Sequence, residues 1–278
     1  NGCGCRNQIK KIFSKYKNSI LLQLASYGDA DMINLFDLYT EKKIISPCDD
    51  FSPIGKIYQK SMKDLSCNIA IPFSSSHQYQ RSDSWWARKY GCAEEDHFKG
   101  FKTTGGKKLL PIFQSISFEK DKEELKFKNI NPSKIFIKEP IKPYKFGDDW
   151  NIGMKENDKI EINDYFSSID YLKQNYDSIG VRFGEDIHTC YLNKFSKYKK
   201  NILFHAPRRS FMYSIRNQVF DDLLIGNFMK TYLKGIQNLR VPKFSYYVAK
   251  LSDNAYVKTK NDIEMAFAFY NRDRAIQD

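Results

Sequence analysis

The stretch Ile69-Ala-Ile-Pro-Phe-Ser-Ser-Ser-His77-Gln-Tyr-Gln-Arg-Ser-Asp83-Ser-Trp-Trp86 places an imidazole, a guanidinium and a carboxylate in one loop behind a short apolar run. In open α/β sheets, ligands sit where strands end and loops begin. His77, just past such a strand, is placed to ligate a metal or move a proton near neutral pH. The three small serines let the backbone turn closely around whatever His77 contacts. Gln80, Arg81 and Asp83 in the same loop add to the functional reading. The simpler alternative is a hydrogen-bonded loop histidine.

A second loop, Tyr27-Gly-Asp29-Ala-Asp31-Met-Ile-Asn34, offers two carboxylates. Asp29 and Asp31 can serve acid–base chemistry, a metal or a sugar hydroxyl. An Asx turn beside Gly28 explains the same residues without chemistry. Tyr27 can orient a substrate or cap the core. His97 follows three acidic residues in Glu94-Glu-Asp-His97, a pattern that can ligate a metal, though a helix end gives the same pattern and is the preferred reading. His188 and His205 fall in strand-like segments without a visible partner cluster. Gly-x-x-x-x-Gly-Lys-Ser/Thr and Gly-x-Ser-x-Gly are both absent. A serine one residue from its base lacks the geometry for attack, so Ser74 to Ser76 are not read as nucleophiles.

The elements that must position these loops follow from hydrophobic patterning. Ser19–Ala25 and Asn68–Phe73 read as buried strands, with a helix within Phe51–Leu65 between them. Strand, helix, strand implies a crossover and parallel pairing. Gln8–Tyr16 reads as a short basic helix and Trp85–Tyr90 as helical. Leu109–Phe118 is a strand or an irregular apolar segment, Lys120–Lys128 a charged solvated stretch, and Ile135–Ile137 a short strand. Ser178–Phe183, His188–Leu192 and Ile202–His205 read as strands, the first two joined by a turn at Gly184-Glu-Asp186. Pro207 opens a helix to Val219, with Phe211, Ile215 and Val219 on one face. Leu223–Met229 reads as a strand and Glu264–Arg272 as a terminal helix. The domain boundary falls between Trp150 and Phe166, giving domains 1–155 and 156–278.

Composition narrows the classes. The 278 residues are 41% hydrophobic and 15% aromatic, enough for real cores. The net charge of +12 comes from 35 Lys and 10 Arg, with the lysines mostly scattered. Nucleic-acid sites favour arginine forks and aromatic platforms, so a solvated basic surface is the preferred reading. Acidic substrates or an anionic membrane surface fit the charge, and no apolar run is long enough for a transmembrane segment. Cysteines at 3, 5, 48, 67, 92 and 190 lack framework spacing, which points to a reducing cytoplasmic setting.

Three segments resemble the C-terminal half of a metallo-β-lactamase-fold protein of the sugar- and lipid-processing, CMP-N-acetylneuraminate hydroxylase-like group. They are Leu21-Leu-Gln-Leu-Ala-Ser-Tyr-Gly-Asp-Ala-Asp31, Ile71-Pro-Phe-Ser-Ser-Ser-His77 and Gly147-Asp148. Val219-Phe-Asp-Asp-Leu-Leu-Ile-Gly-Asn-Phe-Met-Lys230 resembles part of an accessory, sterol-carrier-like α/β module. The resemblance implies an α/β (α+β) chain: the back half of an αββα sandwich, then a small α/β domain. It implies that the first metal ligands, in His-x-His-x-Asp-His, lie in a missing N-terminal half, and that His77 is the late metal ligand. Where the family has aspartate in an Asn-Asp-Cys context, this chain has Asn1-Gly2-Cys3, and Gly2 cannot bridge metals. The implied activity is hydrolysis of a phosphorylated or anionic small molecule, a sugar nucleotide, sugar phosphate or phospholipid. A divalent metal, zinc with iron or manganese as alternatives, activates the water. Asp29 and Asp31 are then catalytic, and Tyr27, Gln80, Arg81 and Asp83 bind substrate. A non-catalytic binding protein for an anionic sugar or lipid is the alternative, and the chain by itself is expected to be inactive.

Overall fold

A computed structural model describes residues 6–16, 18–27, 34–44, 52–73, 78–131, 138–193, 199–239 and 243–277. Helices and sheets are mixed, as an α/β chain requires. The chain divides into two units whose segments alternate along the sequence. The first comprises Asn1–Gly28, Asp50–Tyr79 and Arg88–Glu139, and the second Asp29–Asp49, Gln80–Ala87 and Pro140–Asp278.

In the first unit, helix α1 spans Arg6–Phe13, and strand β1, Ile20–Gln23, pairs in parallel with β3, Ile69–Pro72. Helix α2, Gly55–Leu65, makes the crossover that parallel pairing demands. Tyr58 and Met62, one turn apart on its inner face, are fully buried and pack with Ile54, Ala70 and the buried Leu109. The short β4, Lys108–Leu109, joins the other edge of β3, also in parallel, so β3 is central. The stretch read as charged and solvated is mostly exposed, and it also forms one strand of a hairpin. β5, Gln114–Glu119, pairs antiparallel with β6, Glu124–Asn129, through a turn closed by Glu123 at φ 52°. Alternating Leu125 and Phe127 give β6 a strand pattern that the lysines around them obscure. Ile135–Ile137 lies outside the described residues.

The second unit holds the larger core. Its sheet runs in the order β2 (Leu35–Asp37), β10 (Lys230–Lys234), β9 (Asn201–His205), β7 (Ser178–Phe183), β8 (Asp186–Tyr191). β7 pairs antiparallel with β8 and parallel with β9. The β7–β8 turn contains Gly184 at φ 54°, where a Cβ would meet the Asn151 carbonyl at 2.9 Å. Phe166, Phe204, Phe211, Phe220 and Phe244 are fully buried and pack ring on ring, with the Phe204 and Phe220 centroids 5.3 Å apart.

Helix α3 (Glu156–Ser167) supplies Phe166, α4 (Asp170–Asn175) adds the buried Leu172, and α5 (Arg208–Arg216) and α6 (Phe220–Gly226) supply Phe211 and Phe220. The segment expected as a strand at Leu223–Met229 is mostly the helix α6, with Asn227 at φ 53° ending it. Phe220, Leu223 and Leu224 are buried at helical spacing, and Asp221 and Asp222 favour a helix first turn. The strand follows directly as β10. A π-helix, Tyr246–Asp253, ends on a buried carboxylate: Asp253 accepts from the Tyr165 hydroxyl at 2.9 Å and from the Phe220 amide at 3.0 Å. Helix α7, Lys260–Gln277, extends the expected terminal helix. Among the described residues no helix is long and apolar enough to cross a membrane.

His205 ends β9 with its ring edge-on to Trp150, centroids 5.0 Å apart, and its Nδ1 has no hydrogen-bond partner among the described residues. Burial, then the charges of Arg182 and Lys230, push its pKa down to about 4. A histidine depressed in this way contributes stability that is complete above its unfolded pKa and lost as pH falls through the folded value. In an NMR titration, the His205 ring is expected to titrate with a midpoint near pH 4 rather than near 6.5. A midpoint near 6.5 would contradict its burial.

Candidate functional site

The parallel register of β1 with β3 runs from Ile20 opposite Ile69 to Gln23 opposite Pro72, so both strands end at one edge. The pairing continues one step further, with the Phe73 amide donating to the Gln23 carbonyl at 2.9 Å. Past that edge the chain proceeds from β3 to Ser74–His77 and from β1 to Gly28–Asp31. His77, Asp29 and Asp31 lie outside the described residues. The loops singled out in the sequence therefore follow adjacent, hydrogen-bonded strand ends.

The described residues beside this edge form a polar cluster within the first unit. The Tyr27 amide donates to Cys92 Sγ at 3.2 Å. The Tyr27 phenol is raised by burial and by the neighbouring Asp96 carboxylate, and burial raises the Cys92 thiol. Both stay protonated near neutral pH. The Tyr58 hydroxyl lies 3.4 Å from the Gln23 carbonyl and 3.3 Å from His97 Nδ1. His97 is fully buried in the short 3-10 helix Glu94–Phe98. Burial lowers its pKa against the opposing pull of Asp96 and Glu94, so the ring is neutral. Its Nε2 has no hydrogen-bond partner among the described residues. Asp96 accepts from the Ala93 amide at 2.9 Å, closing the first turn, which agrees with the helix-end reading of this motif.

In the second unit, Arg81 is the centre of a network. Its Nε and Nη2 donate to Asp83 at 2.9 and 2.8 Å, and its Nη1 donates to Asp148 at 2.6 Å. The guanidinium lies 3.9 Å from the Phe228 ring centroid and 5.4 Å from that of Phe146. Burial alone would lower the Arg81 pKa; the hydrogen bonds and charges of Asp83 and Asp148 outweigh it and raise it further. Trp150 Nε1 donates to Asp83 at 2.8 Å. Asp148, with 1% of its side chain exposed, also accepts from the Ser210 hydroxyl at 2.6 Å and the Ser210 amide at 3.2 Å. Backbone pairing adds to this: the Ile141 amide donates to the Gln80 carbonyl and the Ser82 amide to the Ile141 carbonyl, both at 2.8 Å. The Gln80 residue itself is exposed.

The structure thus joins Arg81 to Asp83 and adds Asp148, Trp150 and Ser210. In the sequence, Gly147-Asp148 stands out only through the family resemblance, and nothing there ties Asp148 to Arg81, 67 positions away. Among the described residues no group of three or more His, Cys, Asp and Glu is arranged to hold a metal ion.

Removing one partner of a buried ion pair leaves the other charge uncompensated. Asp148→Ala is expected to lower unfolding stability in urea by about 3 kcal/mol, and a double-mutant cycle with Arg81→Ala should show strong coupling. Additive losses would contradict a direct interaction. Compared with protein-family models, curated proteins and solved structures, the chain shows no match.

Proposed function

We propose that the chain is part of a metal-dependent hydrolase that acts on a small anionic molecule, a sugar nucleotide, a sugar phosphate or a phospholipid. The observation that supports this reading is the shared edge of β1 and β3. One imidazole and two carboxylates follow the ends of two adjacent parallel strands, the location where α/β sheets place ligands. Nitrogen and carboxylate oxygen are donors that zinc, iron(II) and manganese(II) accept. His77 would hold the ion, and Asp29 and Asp31 are the carboxylates proposed for acid–base work. A divalent ion bound there supplies a water whose pKa falls toward neutrality.

The described residues fill supporting roles. The Tyr27 hydroxyl, kept protonated beside the edge, is engaged by the Asp96 carboxylate and enters this reading as an orienting group. Gln80 is exposed and offers an amide to a ligand. Arg81 and Asp83 satisfy one another, so they enter this reading as positioning residues that fix the chain following the His77 segment. Gly2, where a bridging carboxylate belongs in the resembling family, favours a single ion or, as the second reading, a binding protein without catalysis.

The test is zinc affinity, measured by competition with a chromophoric chelator. The chain should bind zinc saturably, and His77→Ala should weaken binding by more than about tenfold with circular dichroism unchanged, as loss of a ligand or of its orienting partner does. A chain that binds no zinc, or a variant that binds it equally well, would remove the support for a metal at His77.

A further inference from the structure

The first turn of α5 holds three consecutive polar side chains with different fates. Arg208 forks onto the fully buried Asp158, Nε to Oδ2 at 2.5 Å and Nη2 to Oδ1 at 2.7 Å. Ser210 is bound through its amide and hydroxyl to Asp148. Arg209, between them, makes no hydrogen bond or ion pair among the described residues, and it is exposed. Its neighbours fix its backbone from both sides.

The Arg209 guanidinium has a defined neighbour. It lies directly over Gly147, where an added Cβ would fall 1.4 Å from Nη1. Gly147 has φ +76°, a conformation that suits glycine, so backbone shape and the absent side chain both make room for the arginine. The guanidinium opens onto a cleft of about 320 Å³ walled by Phe146, Tyr213 and Phe228, with Ser214 and Asp222 also on its lining. That volume is at the lower end of small-molecule sites, about 300–1,000 Å³. Phe146 and Phe228 also lie near Arg81, at 5.4 and 3.9 Å from its guanidinium, so two of the walls neighbour the Asp83–Arg81–Asp148 network.

We propose that this cleft binds a small organic anion, a carboxylate or phosphate monoester on a flat ring. The ring would lie among the three aromatic side chains, and the anion would take the two-pronged hydrogen bonding that Arg209 leaves unused. Asp222, which makes no ion pair among the described residues, limits how much negative charge the ligand can bring. The cleft lies wholly within the second unit, and its ligand does not depend on metal binding by His77.

The experiment is isothermal titration of the full chain with phenyl phosphate, benzoate and, as the uncharged ring, benzyl alcohol. Saturable binding of phenyl phosphate or benzoate, tighter than that of benzyl alcohol, is expected, and whichever anion binds better identifies the head group. Arg209→Ala should weaken that binding by about tenfold or more, the equivalent of one charge-assisted hydrogen bond. Arg209→Lys should retain part of it, and Asp222→Asn should bind at least as tightly as the unaltered chain. Because Arg209 is exposed and unpaired, its replacement should leave the thermal midpoint unchanged, which separates lost binding from lost folding. Failure of both anions to bind at millimolar concentration, or equal binding by Arg209→Ala, would overturn the proposal.

Discussion

Two carboxylates withdrawn from water, Asp148 and Asp158, set the terms for the second unit. A buried charge is tolerated only when its lone pairs are met by well-placed donors. Both find donors in the first turn of α5: Ser210 for Asp148 and Arg208 for Asp158. Asp148 also caps the helix from a remote part of the chain, taking up the Ser210 amide that helix geometry leaves free. Burial would raise the Asp158 pKa, yet Arg208 and the Lys155 amide outweigh it and hold this carboxyl below its ordinary value. Its contribution is thus present at neutral pH and lost only as pH falls through that lowered value.

The same carboxylates tie local structure to surface chemistry. Through Arg81, Asp148 anchors the segment 80–83 and stacks a guanidinium between Phe146 and Phe228. Through Ser210, it fixes the turn from which Arg209 reaches over Gly147. The residues on either side of Arg209 are anchored, so its backbone has little freedom left to lose when the cation meets an anion. In the first unit, position is set by parallel pairing instead. The in-register ends of β1 and β3 determine where the chain leaves the sheet, and the polar cluster of Tyr27, Cys92, Tyr58 and His97 lies beside that edge.

Much of this was legible where information is local. The crossover from Ser19–Ala25 to Asn68–Phe73, the strands at 178–183 and 202–205 and the helix after Pro207 all follow from period and punctuation. Leu223–Met229 misled because its run of apolar residues suits a buried strand and a buried helix equally, and the Asn227 turn that decides between them leaves only a weak trace. The helices at 156–167 and 170–175 escaped because their apolar residues are spread among Asp, Asn and Lys, so no clean face shows. In the site, Arg81 and Asp83 are neighbours in sequence and could be paired on paper. Asp148, Trp150 and Ser210 join them only through tertiary folding, and the availability of Arg209 depends on which adjacent arginine Asp158 takes.

The measurement that bears most directly on the functional account is an anomalous difference map, collected at the zinc edge from crystals grown with zinc. The account predicts a peak within about 2.1 Å of a His77 ring nitrogen, a zinc–imidazole bond length, just beyond the ends of β1 and β3. A map with no peak at His77, or with zinc only on other histidines and cysteines, would contradict it.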